Sequence, residues 1–104
     1  ALAKAVRQSA KRDGGPGRQL HQAMHYVYQI QSVSDPSRYY TGSTDNLKAR
    51  LDSHNAGRSP HTAKHKPWRL VTYHAFLDQS KALDFEDYLK TGSGRAFANR
   101  HLRE

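Results

Sequence analysis

From His25 to Val33 the chain alternates as a strand does. Tyr26, Tyr28 and Ile30 fall on one side, and Val27, Gln29 and Gln31 on the other. Ser34-Asp35-Pro36-Ser37 is turn chemistry, and Tyr39-Tyr40-Thr41 restarts a strand that Gly42 is expected to end. This pairing of two short aromatic strands across a tight turn predicts an antiparallel hairpin, and the rest of the chain must cover it. Ser43, Thr44 and Asp45 each qualify as the N-cap of a helix running to about Asn55, followed by Ala56-Gly57. Residues 58–67 read as a polar, basic loop closed by Pro67. Trp68 to Phe76, rich in β-branched and aromatic groups, reads as a third strand. Ser80 is expected to cap a helix through Lys90, Gly92-Ser93-Gly94 to break it, and Arg95 to Leu102 to form a last short helix. The order is β-β-α-β-α-α, with no internal repeat.

The length of 104 residues fits one domain with a modest core. Cysteine is absent, which excludes disulfides, thiolate zinc sites and thiol nucleophiles. No apolar stretch approaches the roughly 18–20 residues that span a bilayer. The N-terminus lacks the apolar run of a secretory signal, so a cytoplasmic location is expected. The net charge of +8 favours a polyanionic partner, usually nucleic acid. Residues 1–24 carry half of that excess: Lys4, Arg7, Lys11, Arg12 and Arg18 against Asp13. With Gly14 to Gly17 inside it, this stretch reads as a basic, flexible arm ahead of a domain at 25–104. Met24 is the only methionine. Either translation starts there, or the arm adds non-specific affinity for nucleic acid.

On the first helix, at roughly 100° per residue, Leu47, Leu51 and His54 share an arc that also holds Arg50. Two leucines on an inward face are ordinary core. An arginine there needs a counter-charge, supplied either by a protein carboxylate or by a bound phosphate. The second helix repeats the pattern: Ala82, Phe85 and Leu89 form the apolar arc, and Glu86 lies on it. Glu86 either pairs with Arg50 or holds a divalent cation through hard oxygen contacts. Tyr26, Tyr28 and Tyr40 stand at strand spacing, where aromatics usually form core or cross-strand pairs. His54, His61 and His65 flank one loop, but without HExxH or Cys/His spacing a histidine zinc site is disfavoured. The loop from Gly57 to Pro67 is either a solvated surface or a grip on backbone phosphates. Trp68 and Tyr73 either stack on bases or join the core.

Read together, these segments resemble the GIY-YIG nuclease family. Tyr26-Val27-Tyr28 stands at the family's first tripeptide, and Tyr40-Thr41-Gly42 at the second. The run from Tyr40 to Leu47, with Arg50-Leu51 and His54, is similar to the family's strand-to-helix segment. Glu86 follows on the next helix, ahead of Gly92-Ser93-Gly94-Arg95-Ala96-Phe97-Ala98, which looks like the tail of small stand-alone bacterial members. The likeness covers residues 25–102. It departs at framework positions, with Tyr26 in place of Gly, Val27 in place of Ile, and Thr41 in place of Ile. Asn99 is the best match for the family's late polar residue.

The resemblance implies an α+β (α/β) fold, a small three-stranded antiparallel sheet flanked by helices. It also implies a metal-dependent endonuclease that hydrolyses DNA phosphodiester bonds. Glu86 would hold a single Mg²⁺ or Mn²⁺ ion, and Arg50 would contact the scissile phosphate. Tyr28 would orient or deprotonate the attacking water. A phenol has a pKa of about 10, so a nearby cation must lower it or the proton must pass onward. Tyr40 and His54 would complete the network, His54 as a proton relay, with Asn99 the last catalytic candidate. Gly42 and Ser43, loop residues Arg58, His61, Thr62, Lys64 and Lys66, and Arg69 and Arg95 are the expected DNA contacts.

So small a domain offers little surface for reading a long duplex site. Single-stranded or flexible DNA is therefore the expected partner of a monomer or weak dimer. A dimer reading a duplex palindrome or a branched site is the rival. A binding module that kept the fold and lost cleavage, and an RNA-binding protein of unrelated fold, are the competing classes. A bacterial source, with roles in repair, recombination or DNA uptake, follows from the same likeness.

Overall fold

A computed structural model describes residues 24–103. The expected arm at 1–24 lies outside the described residues, apart from Met24. Three strands, β1 (His25–Ser32), β2 (Tyr39–Thr44) and β3 (Trp68–Phe76), form one antiparallel sheet in the order β2-β1-β3. The helices are α1 (Leu47–Asn55), a single turn α2 (Pro60–Ala63), α3 (Gln79–Leu89) and α4 (Gly92–His101). The α+β class and the hairpin are as the sequence indicates, and so is the element order apart from α2, a helical turn added between the first helix and the third strand.

Central position explains the composition of β1. It is buried continuously from Val27 to Ser32, because helices cover both faces of the sheet. On one face Val27 packs with Ala82 and Leu89 of α3 and Ala98 of α4. On the other, Tyr28, Ile30 and Trp68 pack with Tyr40, Leu47, Leu51 and Tyr73. Fully burying side chains such as Val27, Ile30 and Leu89 contributes about 1.5–3 kcal/mol each. Gln29 sits among them without penalty. Its amide donates to Thr41 Oγ1 at 2.8 Å, and its carbonyl accepts from Arg103 Nε at 3.2 Å.

The structure corrects several local expectations. Gly42 does not end β2: Ser43 and Thr44 continue the ladder opposite Val27 and Tyr26. The N-cap of α1 is Asn46, not Ser43, Thr44 or Asp45, and its side chain accepts from Ala49 N at 3.1 Å. The stretch 58–67 is not all loop, since Pro60 at the start of α2 presets helical φ. Asp78 rather than Ser80 caps α3, with Ser80 N donating to Asp78 Oδ1 at 2.9 Å. Gly92 to Gly94 do not stand between the last helices. They are the first turn of α4, capped by Thr91. Gly94 is there for close packing: a Cβ at this position would run into the Tyr88 carbonyl and Leu89 Cα at the end of α3.

Candidate active site

The pleat decides which tyrosines meet. Tyr28 on β1 pairs across the ladder with Gly42 on β2, so its ring lies over the one residue without a side chain. A Cβ on Gly42 would stand 2.5 Å from Tyr28 Oη and 2.8 Å from its Cζ, which is why glycine is needed here. The space Gly42 leaves lets the phenol reach α1. There Tyr28 Oη and His54 Nε2 are 2.9 Å apart and buried. Tyr40 completes the aromatic group, its ring centroid 5.1 Å from that of His54 and 6.5 Å from that of Tyr28.

α1 presents this face as expected, with Leu47 and Leu51 half-buried against the core and His54 2% exposed. Arg50 differs. It stands exposed at the rim rather than inward, with its guanidinium turned to the Tyr28 phenol. Among the described residues it has no carboxylate partner, so the expected pairing with Glu86 does not form. Glu86 instead sits half-buried at the edge of β2. Ser43 Oγ donates to its Oε1 at 2.8 Å, and Lys90 Nζ to its Oε2 at 2.7 Å.

The two members of the buried pair are shifted in opposite directions. Burial, opposed by the Arg50 charge and hydrogen bond, leaves the Tyr28 phenol pushed up to about 12. Burial first, and the Arg50 charge second, hold His54 below the 6.5 of a free imidazole. At neutral pH the phenol therefore keeps its proton and the imidazole lacks its second one. With these shifts the 2.9 Å contact to His54 Nε2 gives the Tyr28 proton a place to go.

Thr62 is not on the surface, where a DNA contact would stand. It is 1% exposed, and its Oγ1 lies 2.8 Å from His54 Nδ1. Both ring nitrogens of His54 are thus engaged, and neither is turned toward His61 or His65. Arg58, His61, Lys64 and Lys66 are exposed on the segment between α1 and β3. A cleft of about 330 Å³ opens beside Tyr40, lined by Arg38, Tyr39, His61, Lys64, His65 and the edge of Trp68, among others. Trp68 itself is core, its Nε1 donating to Thr62 O at 2.8 Å. Arg69 is exposed but holds Gln31 Oε1 through Nε and Nη2. Asn99 accepts from Arg103 Nη1 at 2.8 Å, and no contact joins it to Tyr28, Tyr40, Arg50, His54 or Glu86. Arg95, one turn earlier on α4, is near enough to influence Arg103. Sequence reasoning misses Lys90 beside Glu86 and the cleft residues Arg38 and Tyr39, and reaches His65 only as a member of the basic loop. The i,i+4 spacing of Glu86 and Lys90 is a usable signal, whereas the cleft has none.

A phenol hydrogen-bonded to a neutral imidazole, a guanidinium without a carboxylate partner and a carboxylate at the sheet edge are the groups that acid–base hydrolysis of an anionic ester calls for. The GIY-YIG catalytic domain profile matches residues 24–100, and the chain belongs to the GIY-YIG family, whose domain is a nuclease domain. Among its relatives, a UPF0213 protein of Staphylococcus haemolyticus is 42% identical over 72 residues, 68% of this chain and 85% of that protein. Another UPF0213 protein, of Lacticaseibacillus paracasei, is 39% identical over 66 residues, 62% of this chain and 73% of the relative. The structure-specific endonuclease subunit SLX1 of Candida dubliniensis is 34% identical over 94 residues. That alignment takes in 84% of this chain but only 32% of the fungal protein. No helix among the described residues is long and apolar enough to cross a membrane.

Proposed function

We propose that this chain is a divalent-metal-dependent DNA endonuclease that acts on single-stranded or flexible DNA. The observation that carries the reading is the buried 2.9 Å contact between Tyr28 and His54, with the Arg50 guanidinium facing it. Tyr28 orients the attacking water and takes one of its protons while its own passes to His54 Nε2. Arg50, free of protein carboxylates, lays its planar fork against the scissile phosphate and offsets the charge that builds there. Tyr40 keeps the opposite wall of the site in place and excludes bulk water from the relay.

Glu86 is the residue that would hold the metal. Among the described residues no three His, Cys, Asp or Glu side chains converge. A lone carboxylate nevertheless suits an ion such as Mg²⁺, which keeps several waters and takes phosphate oxygens as further ligands. The carboxylate already holds a cation, the Lys90 ammonium, at the partly exposed side where such an ion would arrive. When bound, the ion supplies Lewis-acid polarisation of the phosphate and stabilises the leaving oxygen.

The cleft beside Tyr40 supports the preference for single strands. Its basic rim suits phosphates, and its aromatic wall suits a base that is free to leave a stack, which a paired base is not. The exposed residues Arg58, His61, Lys64 and Lys66, and half-buried Ser43 beside Glu86, would take backbone contacts on either side of it. The same reading has the protein act as a cytoplasmic monomer or weak dimer, with residues 1–24 adding non-specific affinity. Asn99 and Arg95, on the far face with Arg103, would act only on DNA that wraps the sheet edge.

A cleavage assay with Mg²⁺ or Mn²⁺ on matched single-stranded, duplex and branched DNA, run beside Glu86→Ala, tests the whole reading. Metal-dependent cutting, strongest on single strands and abolished in the variant while binding stays within a few-fold, is the expected result. Binding without cutting of any substrate would make the domain a silent binding module. Preferential cutting of duplex or branched DNA would remove the single-strand preference.

A further inference from the structure

We propose that Thr62 is a positioning residue for strand cleavage: its hydroxyl holds the His54 proton on Nδ1 and so keeps Nε2 bare and aimed at the Tyr28 phenol. This rests on the nuclease reading above. Hydrogens can be assigned one by one along a buried chain of four groups. Tyr28 Oη has two polar neighbours, Arg50 and His54 Nε2. Arg50 can only donate, so the one acceptor for the phenol hydrogen among the described residues is His54 Nε2. Nε2 must then be unprotonated, and the proton of the neutral ring sits on Nδ1. His54 Nδ1–H donates to Thr62 Oγ1 at 2.8 Å, and Thr62 Oγ1–H donates to Ser59 O at 3.4 Å. In this arrangement every hydrogen has an acceptor. Run the other way, Thr62 would donate to Nδ1 and Nε2–H to Tyr28, and the phenol hydrogen would be left without an acceptor inside the protein. A buried polar hydrogen without a partner costs roughly 1–3 kcal/mol.

The surroundings hold Thr62 in place for this role. It lies in the single turn α2, where its own N–H donates to Ser59 O at 3.1 Å and its carbonyl accepts from Trp68 Nε1 at 2.8 Å. With both Thr62 and His54 almost fully buried, water does not compete for Nδ1. During attack the water proton moves to Tyr28 Oη, and the Tyr28 proton moves to His54 Nε2. The water O–H and phenol O–H bonds break, and the new O–P bond forms as the bond to the leaving oxygen breaks. The departing alkoxide takes a proton from a solvent water, and the imidazolium, its Nδ1–H still on Thr62, returns the Nε2 proton through Tyr28 to the hydroxide so formed. Without the Thr62 hydroxyl either tautomer leaves one buried hydrogen unpaired, so the preference for Nδ1–H is lost and the Nε2–H form, which blocks the first transfer, becomes populated.

Two variants and two readouts test this. Thr62→Val keeps shape and removes the hydroxyl, while Thr62→Ser keeps the hydroxyl. Long-range ¹H–¹⁵N spectra of the His54 ring, in metal-free and DNA-free protein, are expected to show the Nδ1–H form in the natural protein and in Thr62→Ser, and a mixture with the Nε2–H form in Thr62→Val. In cleavage of single-stranded DNA, kcat is expected to fall roughly tenfold or more in Thr62→Val, with KM within about twofold and Thr62→Ser restoring the rate. An unchanged Nδ1–H form in folded Thr62→Val overturns the proposal, and so does an equal fall in rate in Thr62→Ser. If natural protein cuts no DNA while the ring still follows the Thr62 hydroxyl, the nuclease reading fails, and the catalytic part of the proposal with it. The spectra keep the two failures distinguishable.

Discussion

At the residue scale the site turns on a balance between burial and charge at Tyr28. The Arg50 guanidinium favours the phenolate, but burial outweighs it. The phenol therefore keeps its proton at neutral pH, and the proposed relay depends on the acceptor behind it. Tyr28→Phe should lower kcat about 100-fold or more while the melting temperature stays within a few degrees, read by single-turnover cleavage and thermal denaturation. His54 must be neutral to accept, and it faces Tyr28 from β1, Tyr40 from β2 and Arg50 on its own helix. Because its pKa is depressed, the acid limb of the pH–rate profile should lie below the 6.5 of a free imidazole. Stability follows the same sign: the His54 contribution is complete above 6.5 and disappears as pH falls toward the folded-state value. An acid limb above 6.5 would count against His54 as the acceptor. Gly42→Ala is the sharpest steric test. The new methyl meets Tyr28 Oη and Cζ, so a drop of about 1–3 kcal/mol in denaturant unfolding should accompany a loss of cleavage.

At the element scale the helices α1 and α3 do different work. α1 places Arg50 and His54 one turn apart on the face that meets Tyr28 and Tyr40, while α3 brings Glu86 to the β2 edge. On α3 the i,i+4 partner Lys90 already occupies Glu86. Both ends are partly exposed, so the pair adds little stability, about 0.3–0.5 kcal/mol. Its larger effect is competition for the carboxylate. Lys90→Met should leave the melting temperature almost unchanged and lower the Mn²⁺ concentration needed for half-maximal cleavage; a higher requirement would mean that Lys90 assists the metal or the phosphate instead. The α3–α4 corner depends on Gly94, where even one methyl group meets backbone.

At the scale of the whole molecule, charge and topology act on different problems. The net charge of +8 favours a polyanionic partner, and residues 1–24 carry half of it. Deleting residues 1–23 should weaken binding of single-stranded DNA. It should also flatten the plot of log K against log salt, by about 0.7 for each phosphate that those residues neutralise. An unchanged slope would leave them without a part in binding. Topology assembles the chemistry. Placing β1 between β2 and β3 pairs both of its edges, helices cover both of its faces, and the pleat sends Tyr28 to the α1 side and Val27 to the α3 side.

Much of this is legible in the sequence. Strand alternation and turn residues mark the hairpin, the apolar arcs mark the faces of α1 and α3, and the ordered set of Tyr28, Tyr40, Gly42, Arg50, His54 and Glu86 marks the family. Local chemistry carries such signals because period and turn preference act over a few residues. The boundaries are less legible, since Asn46, Asp78 and Thr91 compete with neighbours of equal capping ability and packing decides among them. Partner choice is not legible at all. Arg50 carries the charge of an ion-pair partner yet stands free at the rim, Glu86 takes Lys90 and Ser43, and Thr62 goes beneath the surface to His54. Hydrogen-bond partners and burial depend on distances between segments far apart in the chain. Sequence by itself determined the family, the strands and longer helices, and which residues could do chemistry; only the tertiary structure decided which of them touch and which are buried, because that depends on packing between distant segments.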